Sequence, residues 1–236
     1  EQISAYLKDQ GNVCISYELI YQYLAFDRKQ GGRLHKLLPH RGEKYKKRNL
    51  KTQRRVWKEA KPRKSIEDRP SSVTEKTEIG HWEGDTVESK GHQGGIGTFV
   101  DIKSKFLVIR RVEDKSSLEM KNAVLAGFKN YPGIVKTFTF DNGTEFALHD
   151  QIEKELDAEV YFSHPYSPWE RGLNENTNGL IRKFYPKGTD FSQVTDEEIL
   201  RVQNLINDRP RKSLNYKTPK EVLYRELLLK NTYFNI

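Results

Sequence analysis

The sequence predicts an α/β fold in which a mixed five-stranded sheet flanked by helices follows a small all-α module and a basic linker. Three short strand patterns follow one another from residue 81, which indicates an antiparallel meander. Helical and strand patterns then alternate, as is typical of parallel crossover connections. We therefore divide the chain into a helical module at 1–40, a linker at 41–69, an α/β domain at 70–225 and a tail at 226–236.

The helical module contains two short apolar-periodic segments. Gly11 and Asn12 separate them, and Ser16 occupies the position of an N-cap for the second helix. This pattern predicts a helix-turn-helix, whose second helix presents its first residues to the DNA major groove. The residues predicted to face DNA are Tyr17, Glu18 and Tyr21. A helical hairpin without a DNA role is the alternative. The periodicity is already under way at Glu1, so we expect further residues upstream.

Positive charge is concentrated in the first third of the chain. The whole sequence has a formal net charge of +8. Residues 1–69 contain 18 basic and 8 acidic side chains, a balance of +10, whereas residues 70–236 have a balance of −2. Residues 41–64 alone carry 12 basic and 2 acidic side chains, a block that repels itself unless a polyanion lies along it. Nucleic acid is the expected partner, and a solvated linker is the alternative. The candidate contacts are Lys46, Lys47, Arg48, Arg54 and Arg55.

The α/β domain begins with three strand patterns, HWEGDTVES, GIGTFVDIK and FLVIRRVE. Ser116 and Glu119 then form a capping-box pattern that starts a helix long enough to cross the sheet. VKTFTFDN is predicted to form a fourth, buried strand and AEVYFSHP a fifth, with a helix between them. Three further helices are indicated by capping patterns at Ser167, Thr195 and Thr218.

The helix that starts near Pro168 combines several unusual features. Ser167, Pro168 and Glu170 are agreeing signals for its start. At about 100° per residue, one face is apolar and consists of Trp169, Leu173, Leu180 and Phe184. The opposite, polar face consists of Arg171, Glu175, Asn178 and Arg182. This placement predicts that Trp169 packs in the core, and stacking on a base is the alternative. Two glycines and three asparagines give this segment a low helix propensity. Several residues that disfavour the local structure often occur together at a functional site.

Three acidic residues stand where a metal site would need them. Asp85 lies within a strand and Asp141 at the end of one, where acids are depleted, and Glu175 lies on the polar helix face. For Asp141 alone, Asp-Asn-Gly turn chemistry is a sufficient explanation, and for Glu175 alone a solvated helical acid is. Together the three carboxylates fit two Mg²⁺ ions, which take oxygen ligands and can lie roughly 4 Å apart around a phosphodiester. Mn²⁺ is expected to substitute for Mg²⁺.

Several other classes of protein are excluded. The mean hydropathy is strongly negative, and no run approaches the ~18 to 20 apolar residues of a spanning helix. We therefore expect a cytoplasmic, nucleoid-associated protein without membrane contact. Cys14 is the single cysteine, which rules out a disulfide framework and a thiolate zinc cluster. The histidines do not share a metal-ligand spacing.

The motifs around the three acids resemble those of the DDE transposases of bacterial insertion sequences, specifically the insertion-sequence-thirty family. These motifs are HWEGDTV, TFDNGTEF and YSPWERGLNENTNGLIRKF. The resemblance covers most of the chain, and the spacing of the last two acids is that expected of the family. It implies an RNase H-like core of the retroviral-integrase type, with Asp85, Asp141 and Glu175 as the metal-binding triad. It also implies that the N-terminal part recognises terminal inverted repeats.

The resemblance implies a DNA transposase that binds the terminal inverted repeats of an insertion sequence, cleaves DNA at the element ends and joins the freed 3′-OH to target DNA. The residues near Glu175 that are predicted to contact DNA are Arg171, Asn178 and Arg182. An ion pair with Glu175 is the alternative for both arginines. The alternative functions are a catalytically silent DNA-binding protein and an RNase H-type nuclease without joining activity. Since two element ends must be held together, we expect a homodimer or higher oligomer in a synaptic complex.

Overall fold

A mixed six-stranded sheet is the centre of the larger of two units in this computed structural model. The structure describes residues 1–11, 14–38, 63–92, 94–129, 131, 133–165 and 167–233. The larger unit contains residues 60–209 and 217–236, and the smaller unit contains residues 1–59 and 210–216. The domain boundaries proposed from the sequence remain a prediction.

The sheet has an antiparallel part and a parallel part. Its strands are β1 (Lys64–Ser65), β2 (His81–Glu88), β3 (Gly95–Asp101), β4 (Leu107–Val112), β5 (Thr137–Phe140) and β6 (Glu159–Phe162). Their order across the sheet is β1-β6-β5-β2-β3-β4. Strands β2, β3 and β4 are antiparallel neighbours, whereas β5 runs parallel to both β2 and β6. The predicted mixed sheet, with a meander followed by two parallel strands, is confirmed.

The predicted number of five strands is wrong, because residues of the predicted basic linker add a sixth. Strand β1 pairs in parallel with the end of β6. A two-residue strand is too short to show an alternating pattern in a basic sequence. Tertiary contacts hold it instead: the guanidinium of Arg63 lies 4.3 Å from the ring centre of Phe162. Lys64 Nζ also lies 3.2 Å from Glu153 and 3.4 Å from Glu159.

Eight α-helices lie within the described residues. They are α1 (Gln2–Gly11), α2 (Tyr17–Lys29), α3 (Ser71–Glu75), α4 (Ser117–Phe128), α5 (His149–Leu156), α6 (Gly172–Ile181), α7 (Asp196–Asn207) and α8 (Pro219–Tyr233). In the part of the chain that the structure describes, none of them has both the length and the apolar run that crossing a membrane requires.

Two apolar clusters cover the two faces of the sheet. On one face, Phe128 of α4 packs edge-to-face on Trp82 of β2, with the ring centres 4.7 Å apart. On the other face, Ile181 of α6 and several residues of α7 join Val87 of β2 in the second cluster. Because side chains alternate along a strand, Asp85 lies on the same face of β2 as Val87, the face that α6 covers.

Three helices of the larger unit, α4, α7 and α8, start at the predicted capping residues. At Thr195 and Thr218, the hydroxyl accepts a hydrogen bond from the main-chain N–H three residues on, and the glutamate there accepts one in return. The hydroxyl of Ser116 accepts from the N–H of Glu119 at 3.2 Å, but the N–H of Ser116 donates to Asp114. The pattern at Ser116 therefore predicts the helix start correctly and the second half of the box incorrectly.

Side chains of helix α7 form hydrogen bonds to main-chain groups of β4, the edge strand of the sheet. Asn207 accepts a hydrogen bond from the N–H of Leu107 and donates one to its carbonyl, both at 2.8 Å. Gln203 accepts from the N–H of Ile109 at 2.8 Å. Both side chains are buried. An edge strand otherwise offers unpaired backbone groups to other chains, and here α7 covers part of that edge.

The smaller unit contains the two helices predicted for the N-terminal module. Ser16 caps α2 through its hydroxyl, which accepts a hydrogen bond from the N–H of Leu19 at 3.1 Å. Gln2 in α1 donates to the carbonyl of Pro210 at 2.6 Å, which ties the segment 210–216 to the first helix. The predicted pair of helices is therefore present.

Candidate active site

Two of the predicted acidic residues come together at the centre of the sheet. In the parallel pair of β2 and β5, Glu83 is the partner of Thr139. The same register places Asp85 opposite Asp141, which follows the last residue of β5. Side chains two residues apart on a strand share a face, so Glu83 and Asp85 both point toward α6. The structure thus brings Asp85 and Asp141 together, and their catalytic role stays a prediction.

The guanidinium of Arg171 lies between these two carboxylates. Its Nη2 donates to Oδ2 of Asp141 at 3.0 Å. Its Nη1 donates to the carbonyl of Gly84 at 2.9 Å and lies 3.8 Å from Oδ1 of Asp85. The side chain of Arg171 is only 13% exposed. The partner of Arg171 is therefore Asp141, and the alternative of an ion pair with Glu175 is wrong.

Further donors orient the two carboxylates. Oδ2 of Asp85 accepts from Nδ2 of Asn178 at 2.8 Å, and Oδ1 accepts from the N–H of Thr86 at 2.9 Å. Oδ1 of Asp141 accepts from the N–H of Gly143 at 2.8 Å, which is the turn chemistry that Asp-Asn-Gly predicts. Asp141 therefore forms the predicted turn and also faces Arg171. Its role as a metal ligand stays a prediction.

Burial raises the pKa of Asp85 to about 6. The negative charges of Asp141 and Glu145 act in the same direction, whereas the guanidinium of Arg171 and the hydrogen bond from Thr86 oppose the rise. A strongly perturbed pKa in a group with a specific charged partner is typical of functional sites. Asp85 therefore binds a proton more readily than an ordinary aspartate does.

Glu145 is a further acidic neighbour, which the sequence patterns do not single out. A Cβ added to Gly143 would lie 2.3 Å from Oε2 of Glu145 and 2.8 Å from Oδ1 of Asp141, so both carboxylates border this glycine. Burial raises the pKa of Glu145, and the negative charge of Asp141 adds to the rise. The signal that points to Glu145 is its position in TFDNGTEF, in the 3-10 turn that directly follows the Asp141 turn.

Glu175 has a different environment from the two aspartates. It lies in the first turn of α6 and is exposed. Asn178, three residues further along α6, reaches Asp85, so Glu175 lies near the helix side that faces the aspartate pair. Across the ranges that the structure describes, no three aspartate, glutamate, histidine or cysteine side chains are grouped to hold one metal ion. The structure thus joins Asp85 to Asp141 and does not add Glu175 to the pair.

The start of α6 differs from the prediction, because a buried acid from β2 caps it in place of Ser167. The side chain of Ser167 makes no capping hydrogen bond, and a 3-10 turn precedes the α-helix. Glu170 accepts a hydrogen bond from the N–H of His164 and contacts its Nδ1, both at 2.8 Å. Oε2 of Glu83, a residue that is 6% exposed, accepts from the N–H of Asn174 at 3.2 Å. A carboxylate at a helix N-terminus is favourable, so Glu83 replaces the predicted capping box.

Trp169 is exposed, so the prediction that it packs in the core is wrong. Its exposed fraction is 74%. The residue lies in the 3-10 turn before α6, where about three residues make a turn, so a stripe drawn with α-helical spacing does not apply. Its neighbours Glu170 and Arg171 are tied to His164 and Asp141. Trp169 is therefore exposed to solvent directly before two anchored residues.

The residues predicted to contact DNA fall into three groups. In the larger unit, Arg171 and Asn178 bond to the aspartates, and Arg182 donates to the carbonyls of Glu88 at 3.1 Å and Pro186 at 3.4 Å. In the smaller unit, the exposed candidates are Tyr17, Glu18 and Tyr21. The third group lies outside the described residues and consists of Lys46, Lys47, Arg48, Arg54 and Arg55. A role in DNA binding stays a prediction for all three groups.

Two transposases are similar to this chain over much of its length. The transposase for insertion sequence element IS4351 of Bacteroides fragilis is 38% identical over 232 residues, which are 98% of this chain and 70% of that protein. The transposase InsI for IS30C of Escherichia coli (strain K12) is 41% identical over 165 residues, which are 70% of this chain and 43% of that protein. The matched part of this chain therefore covers less than half the length of the IS30C transposase.

An integrase core is found by both family and structure comparison. The family model described as "Integrase core domain" matches residues 75–168, a range that includes Asp85 and Asp141. The catalytic core domain of BIV integrase has the same fold, with a TM-score of 0.50 and 19% identity over 66% of this chain and 99% of that domain. The predicted RNase H-like, integrase-type fold is thus confirmed. The IS4351 transposase is similar to this chain over nearly its whole length, and the IS30C transposase matches most of it. These two matches show that the chain belongs to the insertion-sequence-thirty family of transposases.

Proposed function

We propose that this protein is a DNA transposase that binds the terminal inverted repeats of its element, cleaves DNA at the ends and transfers the 3′-OH strand to target DNA. The observation that carries the proposal is the convergence of Asp85 and Asp141 on one cationic group at the centre of an integrase-type sheet. Membership of a transposase family supports phosphodiester chemistry. Because the chain spans only part of its relatives, its substrates and partners belong to the proposal.

The aspartate pair fits divalent cations in its chemistry. Mg²⁺ takes carboxylate oxygens and keeps water and phosphate oxygens as further ligands. The guanidinium of Arg171 already lies against both carboxylates, which supports a site that stabilises positive charge. We assign Asp85, Asp141 and Glu175 as the ligands of two Mg²⁺ ions, with Mn²⁺ as a substitute. If bound there, such ions would activate an attacking oxygen and stabilise a leaving one.

The residues around the pair are proposed to hold the ligands in position. Asn178 holds Oδ2 of Asp85 from α6, and the N–H of Gly143 holds Oδ1 of Asp141. Since Glu175 lies on the same helix as Asn178, the bond from Asn178 to Asp85 also limits how far α6 can move from β2. These contacts orient the carboxylates before DNA arrives, which lowers the cost of assembling the site.

The smaller unit and the basic segment at 41–64 are proposed to hold the DNA. The start of α2, with Tyr17, Glu18 and Tyr21, is the part that would face the major groove. The basic side chains of the segment neutralise phosphates and supply affinity that depends on salt. A homodimer or higher oligomer would bring the two element ends together.

A product assay with a labelled terminal-repeat duplex and Mg²⁺ tests the proposal. The wild-type protein should give both cleaved and joined products. Asp141→Asn should give neither, because it removes a charged oxygen ligand from the site. Asp196→Asn is the matched control and should retain activity. Asp196 is a 74% exposed acid at the start of α7, and it pairs with Arg111 of β4.

Each other outcome has a defined meaning. Joined products from Asp141→Asn, or cleavage by the wild type in the presence of a chelator, would refute the metal assignment. Cleavage without joining would favour a nuclease. Salt-sensitive binding of the duplex without cleavage in any divalent metal would favour a catalytically silent DNA-binding protein.

A further inference from the structure

We propose that Arg171 is a positioning residue that occupies the cation site of Asp85 and Asp141 until metal binds, and that then moves to a DNA phosphate. The inference rests on the proposed function, because it takes the two aspartates as metal ligands. It adds a second role to the site: one arginine alternates between a carboxylate partner and a phosphate partner.

The contacts of Arg171 are those that a bound metal ion would replace. Nη2 lies 3.0 Å from Oδ2 of Asp141, and Nη1 lies 3.8 Å from Oδ1 of Asp85. A third contact, from Nη1 to the carbonyl of Gly84 at 2.9 Å, joins the guanidinium to the strand that carries Asp85. One side chain therefore offsets part of the negative charge of both acids and links β2 to the end of β5.

The other donors to the two carboxylates carry no charge. They are the N–H of Thr86 and the amide of Asn178 at Asp85, and the N–H of Gly143 at Asp141. A carboxylate oxygen has more than one lone pair, so these neutral donors can stay when a metal ion binds. Two cations on the same oxygens repel each other strongly in a half-buried site. Arg171 is therefore the group that must leave.

Arg171 lies at the junction of two elements, next to a glycine whose Cα side is open. Arg171 connects the 3-10 turn to Gly172, the first residue of α6, and has non-helical torsion angles of φ −124° and ψ 39°. A Cβ added to Gly172 would meet nothing within 4 Å. The turn itself stays anchored through the contact of Glu170 with His164. A released guanidinium presents a planar fork of donors that matches phosphate oxygens.

This exchange couples metal binding to DNA binding. Metal releases Arg171 for the phosphate, so metal should raise the affinity for DNA, and DNA should raise the affinity for metal by the same factor. If Arg171 had a purely structural role, metal would not raise the affinity for DNA and DNA would not raise the affinity for metal. Arg182 offers a matched comparison, because it flanks the same helix and also donates to a β2 carbonyl, that of Glu88, but its second partner is the carbonyl of Pro186.

Mn²⁺ binding to the full chain, followed by electron paramagnetic resonance, tests the exchange. Arg171→Gln should bind Mn²⁺ about tenfold more tightly than the wild type, because no cation has to be displaced. Arg182→Gln loses the same charge and should change the affinity by less than about twofold, because a more distant charge is screened. Arg171→Lys keeps a cation at the site and should remain near the wild type.

A second measurement does not depend on the folding of Arg171→Gln. The affinity of the wild type for a labelled terminal-repeat duplex is compared with and without Ca²⁺, which takes the same oxygen ligands. We expect a gain of about fivefold or more with Ca²⁺, and the gain should be absent in a folded Arg171→Gln protein.

The outcomes separate this inference from the function on which it rests. Three results would each overturn the exchange and leave the metal site intact. The first is an equal Mn²⁺ affinity of the wild type and Arg171→Gln, and the second is an equal increase in Mn²⁺ affinity in Arg171→Gln and Arg182→Gln. The third is an affinity of the wild type for the duplex that Ca²⁺ does not change. If Asp141→Asn bound Mn²⁺ as tightly as the wild type, the metal site itself, and with it the proposed function, would be refuted.

Discussion

Asp85 combines a half-buried carboxyl group with negative neighbours. Burial raises its pKa to about 6, the charge of Asp141 adds to the rise, and Arg171 limits it. Because the folded-state pKa lies above the value of about 3.9 for an unfolded aspartate, folding favours the neutral form. The stability that this preference contributes is complete below about pH 4 and is lost as the pH rises through about 6.

The pH dependence predicts how Asp85→Asn affects the metal-free protein. The variant has no ionisable group at this position, so its free energy of unfolding relative to the wild type should be about 1 kcal/mol higher at about pH 7 than at about pH 5. Urea denaturation at the two pH values measures the difference, and a carbon-13 NMR titration should place the midpoint of Asp85 near 6. A difference that does not change with pH would show that the carboxyl has an ordinary pKa.

Residue types predict the acids of the site better than they predict the partners of those acids. Asp85 and Asp141 stand out in the sequence because acids are rare in strands, and the register of β2 and β5 then brings them together. Helical spacing pairs Arg171 with Glu175, but its real partner comes from a strand end that is distant in sequence. Glu145 escapes notice because an acid after an Asp-Asn-Gly turn has the pattern of an ordinary surface residue.

Among the elements, α7 is held to β4 by polar side chains within an apolar contact. Asn207 bonds both main-chain groups of Leu107, and Gln203 bonds the N–H of Ile109. The side chain of Asn207 is 1% exposed. Removing one partner from a buried pair costs more than the hydrogen bond itself, because the remaining group stays desolvated. The contact between α7 and the sheet edge therefore depends on these two amides.

Asn207→Ala should lower the free energy of unfolding by about 2–4 kcal/mol, since the N–H and the carbonyl of Leu107 both lose their partner. Asn204→Ala is the matched control on the exposed side of α7, and should change the free energy of unfolding by less than about 0.5 kcal/mol. Urea denaturation of the two variants gives the comparison. Equal losses would mean that the amide of Asn207 does not stabilise the edge.

The elements that periodicity and capping define could be predicted, whereas those made by tertiary contacts could not. The meander, β5, β6 and the caps at Thr195 and Thr218 follow from patterns of neighbouring residues. Strand β1 exists because Arg63 and Lys64 find partners near β6, and its own two residues show no pattern. Helix α6 starts where Glu83 can cap it, a contact that no local pattern contains.

Over the whole molecule, the net positive charge is confined to the first third of the sequence. Residues 1–69 have a balance of +10 and the remainder a balance of −2. The integrase core match, at 75–168, lies entirely in the second part. A site of converging carboxylates repels a polyanion until cations neutralise it, so in the proposed function most of the affinity for DNA phosphates comes from another part of the chain. The basic first part is suited to that role.

This division of charge predicts which substitutions change the salt dependence of DNA binding. Replacing Lys46, Lys47 and Arg48 together with glutamine should make the negative slope of log affinity against log salt shallower by about 3. Each phosphate contact that is lost removes about 0.9 from the magnitude of the slope. The control replaces three exposed lysines of the larger unit, Lys129, Lys154 and Lys187, and should leave the slope nearly unchanged. Fluorescence anisotropy of a labelled duplex over a series of KCl concentrations measures both slopes. If the two triple variants lowered the slope equally, DNA would be held by the core as much as by the basic segment.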